Sequence, residues 1–136
     1  MRINHTKIRL LKKKLLWLKH ENFKPALSGT HHSVAISKNY VVRERKNKPE
    51  LIRREARFLQ QLQHPLIPTI VWVGKVGQST MLVENRLPGN TLDKRWKKLS
   101  RIAQSRIVRQ VVEFLKFLRR QPSRFSYSVA TGKKYP

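Results

Sequence analysis

Apolar residues recur at helical spacing in three stretches of the chain. In residues 6–20, one apolar stripe repeats every three or four positions while a run of three lysines turns away from it. The stripe contains Ile8, Leu11, Leu15 and Leu18, flanked by Leu10 and Trp17. This pattern predicts an amphipathic helix that docks on the protein's own core. A helix that binds a membrane surface or a nucleic acid is the alternative.

The second stretch, residues 50–63, follows a proline, which is favoured in the first turn of a helix. Leu51 and Phe58 lie on one face of this predicted helix. Glu55 lies on the same apolar stripe, four residues after Leu51 and three before Phe58. Two further prolines, Pro65 and Pro68, end the helical pattern.

The third stretch begins at Ser100, a good N-cap, and runs to about Arg120, before Pro122. Its apolar positions are Ile107, Val108, Val111, Val112, Leu115 and Leu118. The spacing predicts a long helix.

Short β-type runs between the helices predict five strands. They are residues 26–27, 34–36, 40–42, 70–73 and 80–84. Turns are expected at Ser28-Gly29, at Lys38-Asn39 and over residues 74–78. The fold class is therefore α+β: a five-stranded, mainly antiparallel sheet with one helix on its face, an amphipathic helix before it and a long helix after it.

The 31 Lys and Arg residues against seven Asp and Glu give a formal charge of +24. Such a field attracts polyanions, so a nucleic-acid-binding or ribosome-associated module is one interpretation and a basic solvated surface is another. The three tryptophans favour the former, although Trp72 is expected in the core. The chain has no cysteine, and no apolar run is long enough for a transmembrane segment. We expect a cytoplasmic protein; an organellar presequence in the first 20 residues is the alternative.

Glu55 is the residue that the pattern does not explain. A carboxylate on a buried helical face costs several kcal/mol unless a cation and hydrogen bonds compensate it. Arg43, at the end of the strand YVV, is the nearest cation that can face the helix. Alternatively, the helix rotates slightly and Glu55 pairs at the surface with Arg53 or Arg57.

Five stretches resemble, in order, the amino-terminal lobe of the aminoglycoside phosphotransferase and choline kinase group of protein-kinase-like enzymes. LSGTHHSVAI resembles the first-strand corner, YVVR the strand with the cation, and LIRREARFLQQL the helix with the glutamate. IPTIVWVG resembles the strand that follows, and LVENRLPGNTL the linker between lobes. The resemblance covers roughly residues 10–120, and its strength lies in the order of the motifs.

The resemblance implies a division of the chain into four parts. Residues 1–22 are the basic amphipathic helix, 23–87 the nucleotide-binding lobe, 88–122 the inter-lobe linker and long helix, and 123–136 an irregular basic tail belonging to an incomplete second lobe. On this view the chain is truncated or split before the catalytic loop.

The resemblance also implies a site for ATP. Arg43 corresponds to the cation that contacts the phosphates and Glu55 to its orienting partner. The corner at residues 28–32, with Ser28, Gly29 and Thr30, would cover the phosphates. The backbone of residues 83–86, which includes Glu84, Asn85 and Arg86, would meet the adenine.

Two residues of this site depart from the family. The family usually has Lys where this chain has Arg43, and an acid is more common at the position of Asn85. One Gly in the corner also allows only limited backbone approach to a phosphate.

Phosphoryl transfer of this type requires an Asp that positions the nucleophile, and an Asn and a second Asp that bind Mg²⁺. Asp93 is the only Asp here, and no acidic residue follows Glu113. We therefore expect no catalysis by this chain alone. Three interpretations are open: the front half of a longer or split enzyme, a truncated gene product, or a lobe kept for binding. In a split enzyme, a separate chain would supply the second lobe and its Mg²⁺. The apolar stripe of the last helix, with Phe114 and Phe117, would stay partly exposed until that partner docks. Five His without Cys give no recognisable metal site.

Overall fold

A computed structural model describes residues 3–26, 33–45, 49–89, 92 and 95–121. The helices are α1 (His5–Lys14), α2 (Pro49–Gln61) and α3 (Arg101–Arg119), and single 3₁₀ turns occur at Leu16–Leu18 and Trp96–Lys98. The strands are β1 (Lys24–Pro25), β2 (Ser33–Ile36), β3 (Tyr40–Arg45), β4 (Ile70–Val76) and β5 (Ser79–Asn85). The predicted α+β class with a five-stranded antiparallel sheet is confirmed.

The strands lie in the order β1-β2-β3-β5-β4, and all neighbours are antiparallel. β3 is therefore the central strand, between β2 and β5. Arg43 of β3 pairs with Leu82 of β5, and Val41 pairs with Glu84. α2 connects β3 to β4 and packs against β4 and β5.

Helices cover both faces of the sheet. On one face, Leu11 and Leu18 pack with Val42 and Met81 in the larger core cluster. On the other face, Ile52 and Ala56 of α2 pack with Leu82, which follows Met81 and so faces the opposite way. The prediction that the first helix docks on the protein's own core is confirmed. The second covered face was not predicted, because sequence periodicity does not show which side of a sheet a helix occupies.

The first helix is shorter than its apolar pattern predicted. α1 ends at Lys14, and Leu15 has extended backbone angles (φ −117°, ψ 86°) before a 3₁₀ turn. Leu15 and Leu18 both remain buried, so tertiary packing overrides the local helical preference here. Trp17, half-exposed after the break, makes an edge-to-face contact with Tyr40 at 5.1 Å between ring centroids.

The β4–β5 turn is also shorter than predicted. β4 continues through Gly74 to Val76, and the turn consists of Gly77 and Gln78, with Gly77 at φ 58°. Gly74 has another role: a Cβ added there would lie 2.5 Å from the ring of Trp72. The glycine that suggested a turn instead leaves space for an aromatic side chain.

The first strand lies at Lys24–Pro25, slightly before the predicted residues 26–27. Ala26 continues the pairing, since its amide donates to the carbonyl of Val34 at 2.9 Å. Leu27 and the predicted Ser28-Gly29 corner lie outside the described residues.

The last helix begins as predicted. The Ser100 hydroxyl accepts a hydrogen bond from the amide of Ala103 at 3.2 Å, and α3 runs to Arg119. Phe114 and Phe117 contact the ring of His64, at 4.9 and 4.6 Å between centroids. No residue of α3 is buried. None of the helices in the described residues is both long and apolar enough to span a membrane.

Candidate functional site

Arg43 joins two carboxylates on the face of the sheet that α2 covers. Its guanidinium donates through one terminal nitrogen to Glu55 of α2 and through the other to Glu84 of β5, the latter at 2.9 Å. The side chains are largely withdrawn from water, with 17% of Arg43, 22% of Glu55 and 9% of Glu84 exposed. We call these three residues the arginine site.

The local sequence accounts for the meeting of Arg43 and Glu55. Alternation along β3 turns Arg43 away from the Val42 core and toward α2. Helical spacing places Glu55 four residues after buried Leu51, on the side of α2 that faces the sheet. The predicted Arg43–Glu55 pair is therefore confirmed. The alternative, a surface Glu55 paired with Arg53 or Arg57, is wrong because Arg43 holds the carboxylate against the sheet.

The contribution of Glu84 was not predicted. The family resemblance implies a backbone role for this residue in the linker, whereas its carboxylate is buried and bonds to Arg43. The alternation of side chains along β5 is the sequence feature that points to this contact. Leu82 lies opposite Arg43 in the β3–β5 register, and Glu84, two residues later, projects from the same face of the sheet. Only the register, which the sequence does not state, brings the two side chains together.

Burial and charge oppose each other in the arginine site. Burial acts to lower the pKa of Arg43, but the carboxylates of Glu84 and Glu55 outweigh it and hold that pKa above its ordinary value. Burial raises the pKa of Glu84; the charge and hydrogen bond of Arg43 oppose that rise, and repulsion from Glu55 adds to it. With all three groups ionised, the site has a net charge of −1.

One donor of the arginine site has no hydrogen-bond partner among the described residues. The Nε of Arg43 is buried without a hydrogen bond, although both terminal nitrogens have carboxylate partners. A guanidinium has five N–H groups, and the two carboxylate contacts account for two of them. Arg43 therefore retains donor capacity beyond its two ion pairs.

The predicted linker positions lie at the end of β5, where the sheet uses their amides. The Asn85 amide donates to the carbonyl of Thr69 at 3.0 Å, and the Arg86 amide donates to that of Asn39 at 2.7 Å. The Asn85 side chain accepts from the Thr69 amide, and the Arg86 guanidinium donates to the Ser37 carbonyl at 3.0 Å. These contacts fix the start of the linker to the sheet at the end of β5 and occupy two of the amides in residues 83–86.

The remaining predicted site residues, Ser28, Gly29 and Thr30, lie outside the described residues. The arginine site therefore unites Arg43, Glu55 and Glu84, while Asn85, the last residue of β5, and Arg86 follow Glu84 along the chain. Within the described part of the chain, no group of three or more His, Cys, Asp or Glu side chains is arranged to hold a metal ion.

Comparisons with protein-family models, with curated proteins and with solved structures each gave no match. A functional assignment therefore depends on the geometry of the arginine site and on the order of elements around it.

Proposed function

We propose that this chain is the ATP-binding amino-terminal lobe of a kinase-like phosphotransferase. The observation that supports it is the pair between Arg43, on the third strand, and Glu55, on the helix that follows. In protein kinases a cation on the third strand pairs with a glutamate of the next helix, and the pair orients the cation toward the nucleotide phosphates. The same succession of strand, helix and two further strands surrounds the pair in this chain.

ATP would meet the arginine site through Arg43. The two terminal nitrogens of the guanidinium carry four N–H groups, and two of these remain beyond the pairs with Glu55 and Glu84. These donors fit phosphate oxygens. Bound Mg²⁺ would neutralise phosphate charge, which matters beside a site with a net charge of −1. Residues 83–86 would meet the adenine at the end of β5, and residues 28–30 would approach the phosphates.

Catalysis would require groups that this chain does not contain. Its single Asp, Asp93, cannot supply the nucleophile-positioning Asp, the Asn and the second Asp. We propose that a second lobe supplies them and acts on a small-molecule hydroxyl. The exposed apolar residues of α3 support a docking partner of this kind, since Val108, Val111, Val112 and Leu115 are 42–57% exposed. We further propose a cytoplasmic location, for which the absence of cysteine is the support.

The proposal is tested by equilibrium titration of the chain with MgATP. Wild type should bind weakly, and Arg43→Met should abolish binding because it removes the phosphate donors. Arg43→Lys retains a cation and should bind with intermediate affinity. Arg45→Met is the matched control, since it removes one positive charge from the same face of β3, two residues away. Equal weakening by Arg43→Met and Arg45→Met would mean that only overall charge attracts the nucleotide and would refute the assignment.

A nucleic-acid-binding module is the second candidate. The observation that favours it is the basic surface of α3, where Arg101, Arg106, Arg109, Lys116 and Arg119 are all exposed. Phosphate neutralisation would make binding steeply salt-dependent. Titration of a single-stranded homopolymer RNA at several salt concentrations tests this candidate. Affinity that does not fall as salt increases would exclude it, and a steep fall that removing three of these arginines flattens would support it.

A further inference from the structure

A second charged cluster lies on the face of the sheet opposite the arginine site. The carboxylate of Glu44 accepts a hydrogen bond from the Ser79 hydroxyl at 2.6 Å and another from the ammonium of Lys7. The Lys7 ammonium also donates to the Ser79 oxygen at 2.8 Å. We call these three residues the Glu44 network. The Glu44 side chain is only 2% exposed, so the network is the environment that makes its burial tolerable.

The Glu44 network connects three elements. Lys7 belongs to α1, Glu44 is the penultimate residue of β3, and Ser79 is the first residue of β5. Because side chains alternate along a strand, Glu44 faces α1 while its neighbour Arg43 faces α2. One peptide bond of β3 therefore separates an ion pair to α1 from an ion pair to α2.

We propose that Lys7 and Glu44 are positioning residues for Arg43. By fixing β3 at the residue after Arg43, they hold the guanidinium where it bonds to Glu55 and Glu84 together. Docking of the amino-terminal helix is thereby coupled to the geometry of the arginine site. Its consequence for ATP rests on the function proposed above, whereas its effect on Arg43 can be measured without a nucleotide.

Removal of Lys7 has a defined physical consequence. Glu44 would be left as a buried carboxylate with one hydroxyl donor, and the cost of burying an uncompensated charge drives the group toward water. A displacement of Glu44 that includes its backbone shifts β3, which carries Arg43 one peptide bond away. Hydrogen bonds weaken steeply when their geometry changes, so a small shift of β3 is enough to loosen the contacts of Arg43.

The test uses the Arg43 Nε–H group as a reporter. This group is buried and has no partner, so its ¹⁵N–¹H NMR signal depends directly on the arginine site. The signal is assigned by its loss in Arg43→Lys. In Lys7→Met we expect a shifted Nε–H signal and hydrogen exchange faster by about tenfold or more, as loss of one charge-assisted hydrogen bond implies. Lys7→Arg, which keeps a cationic donor, should restore the wild-type signal.

Ile8→Ala is the control for a general loosening of α1. Ile8 follows Lys7, is half-buried and packs against the core cluster without belonging to the Glu44 network. It should leave the Nε–H signal of Arg43 unchanged. A wild-type signal in Lys7→Met, or the same shift in Ile8→Ala as in Lys7→Met, would overturn the proposal. If Lys7→Met does not fold, Ser79→Ala removes a single hydroxyl from the network and should shift the signal in part; an unshifted signal would again overturn it.

MgATP titration separates this inference from the function on which it rests. If wild type binds MgATP, Lys7→Met should bind it about tenfold more weakly while Ile8→Ala binds normally. Normal binding by Lys7→Met would overturn the coupling to the nucleotide. If wild type does not bind MgATP, the proposed function fails, but the Nε–H signal still decides whether α1 positions Arg43.

Discussion

Arg43 and Glu44 are consecutive residues of β3 whose side chains form ion pairs on opposite faces of the sheet. Arg43 pairs with Glu55 and Glu84 beneath α2, and Glu44 pairs with Lys7 beneath α1. A buried charge is tolerated only when a counter-charge and hydrogen bonds replace its water. Both helices are therefore held to the central strand by charge as well as by apolar packing.

Substitution of Arg43 by Met should be strongly destabilising. It leaves Glu55 and Glu84 facing each other without a cation, and breaking a buried pair by removing one partner costs about 3–5 kcal/mol. Arg45→Met on the same strand face should cost about 1 kcal/mol or less. Urea unfolding followed by circular dichroism measures both values. Equal losses in the two variants would show that Arg43 is not the compensating charge.

The pH dependence of stability should reveal Glu84. Because its pKa is raised in the folded protein, mainly by burial, the folded state binds the proton more tightly than the unfolded state. The stability that this group contributes is therefore complete below its unfolded pKa and falls as the pH rises through the window between the unfolded and folded values. The free energy of unfolding of wild type minus that of Glu84→Gln should decrease as the pH rises through this window.

Glu21→Gln should show the opposite pH dependence of stability. Hydrogen bonding from Ser37 lowers the pKa of Glu21, burial opposes this only in part, and Asn39 adds a further bond at 2.7 Å. Its contribution to stability is present above the unfolded pKa and is lost as the pH falls through the folded one. For each variant, the difference between the unfolding free energies of wild type and variant is plotted against pH. If this difference changes in the same direction with pH for Glu84→Gln and Glu21→Gln, the assigned pKa directions are wrong.

Sequence patterns predicted most of the architecture and two of the three residues of the arginine site, and the failures have physical causes. Periodicity shows which face of an element is apolar, so α2, α3 and the inward Glu55 were accessible. It does not give strand register, which is what places Glu84 beside Arg43. Nor does it show contacts between distant segments, and Lys7 and Glu44 are 37 residues apart. The turn predicted at Gly74 is wrong because this residue lies inside β4. A glycine is needed there because a Cβ would clash with the ring of Trp72.

Gly74→Ala should destabilise the protein through one specific clash. The added Cβ would lie 2.5 Å from the Trp72 ring, and overpacking of this kind typically costs about 1–3 kcal/mol. Gly77→Ala should also be unfavourable, by about 1–2 kcal/mol, but for a different reason: its φ is 58° and nothing lies near the new methyl group. The two substitutions alone therefore do not distinguish the causes.

A double-mutant cycle with Trp72→Leu distinguishes them. The smaller side chain should remove most of the added cost of Gly74→Ala and none of the cost of Gly77→Ala. Thermal unfolding of the six proteins, including wild type, provides the comparison. If Trp72→Leu leaves the cost of Gly74→Ala unchanged, the role assigned to the Trp72 ring is wrong.

The exposed stripe of α3 should contribute little to the stability of this chain alone. Leu115 is 57% exposed, whereas Leu82, beneath α2, is fully buried. The same substitution in both, Leu→Ala, should therefore cost about 2–5 kcal/mol at position 82 and about 0.5 kcal/mol or less at position 115. Denaturant unfolding at low protein concentration measures the loss of unfolding free energy in both variants.

A loss above about 2 kcal/mol in Leu115→Ala would mean that another surface covers this leucine in solution. The apolar stripe would then be an interface already occupied, and sedimentation of wild type against Leu115→Ala would show whether a second copy of the chain occupies it.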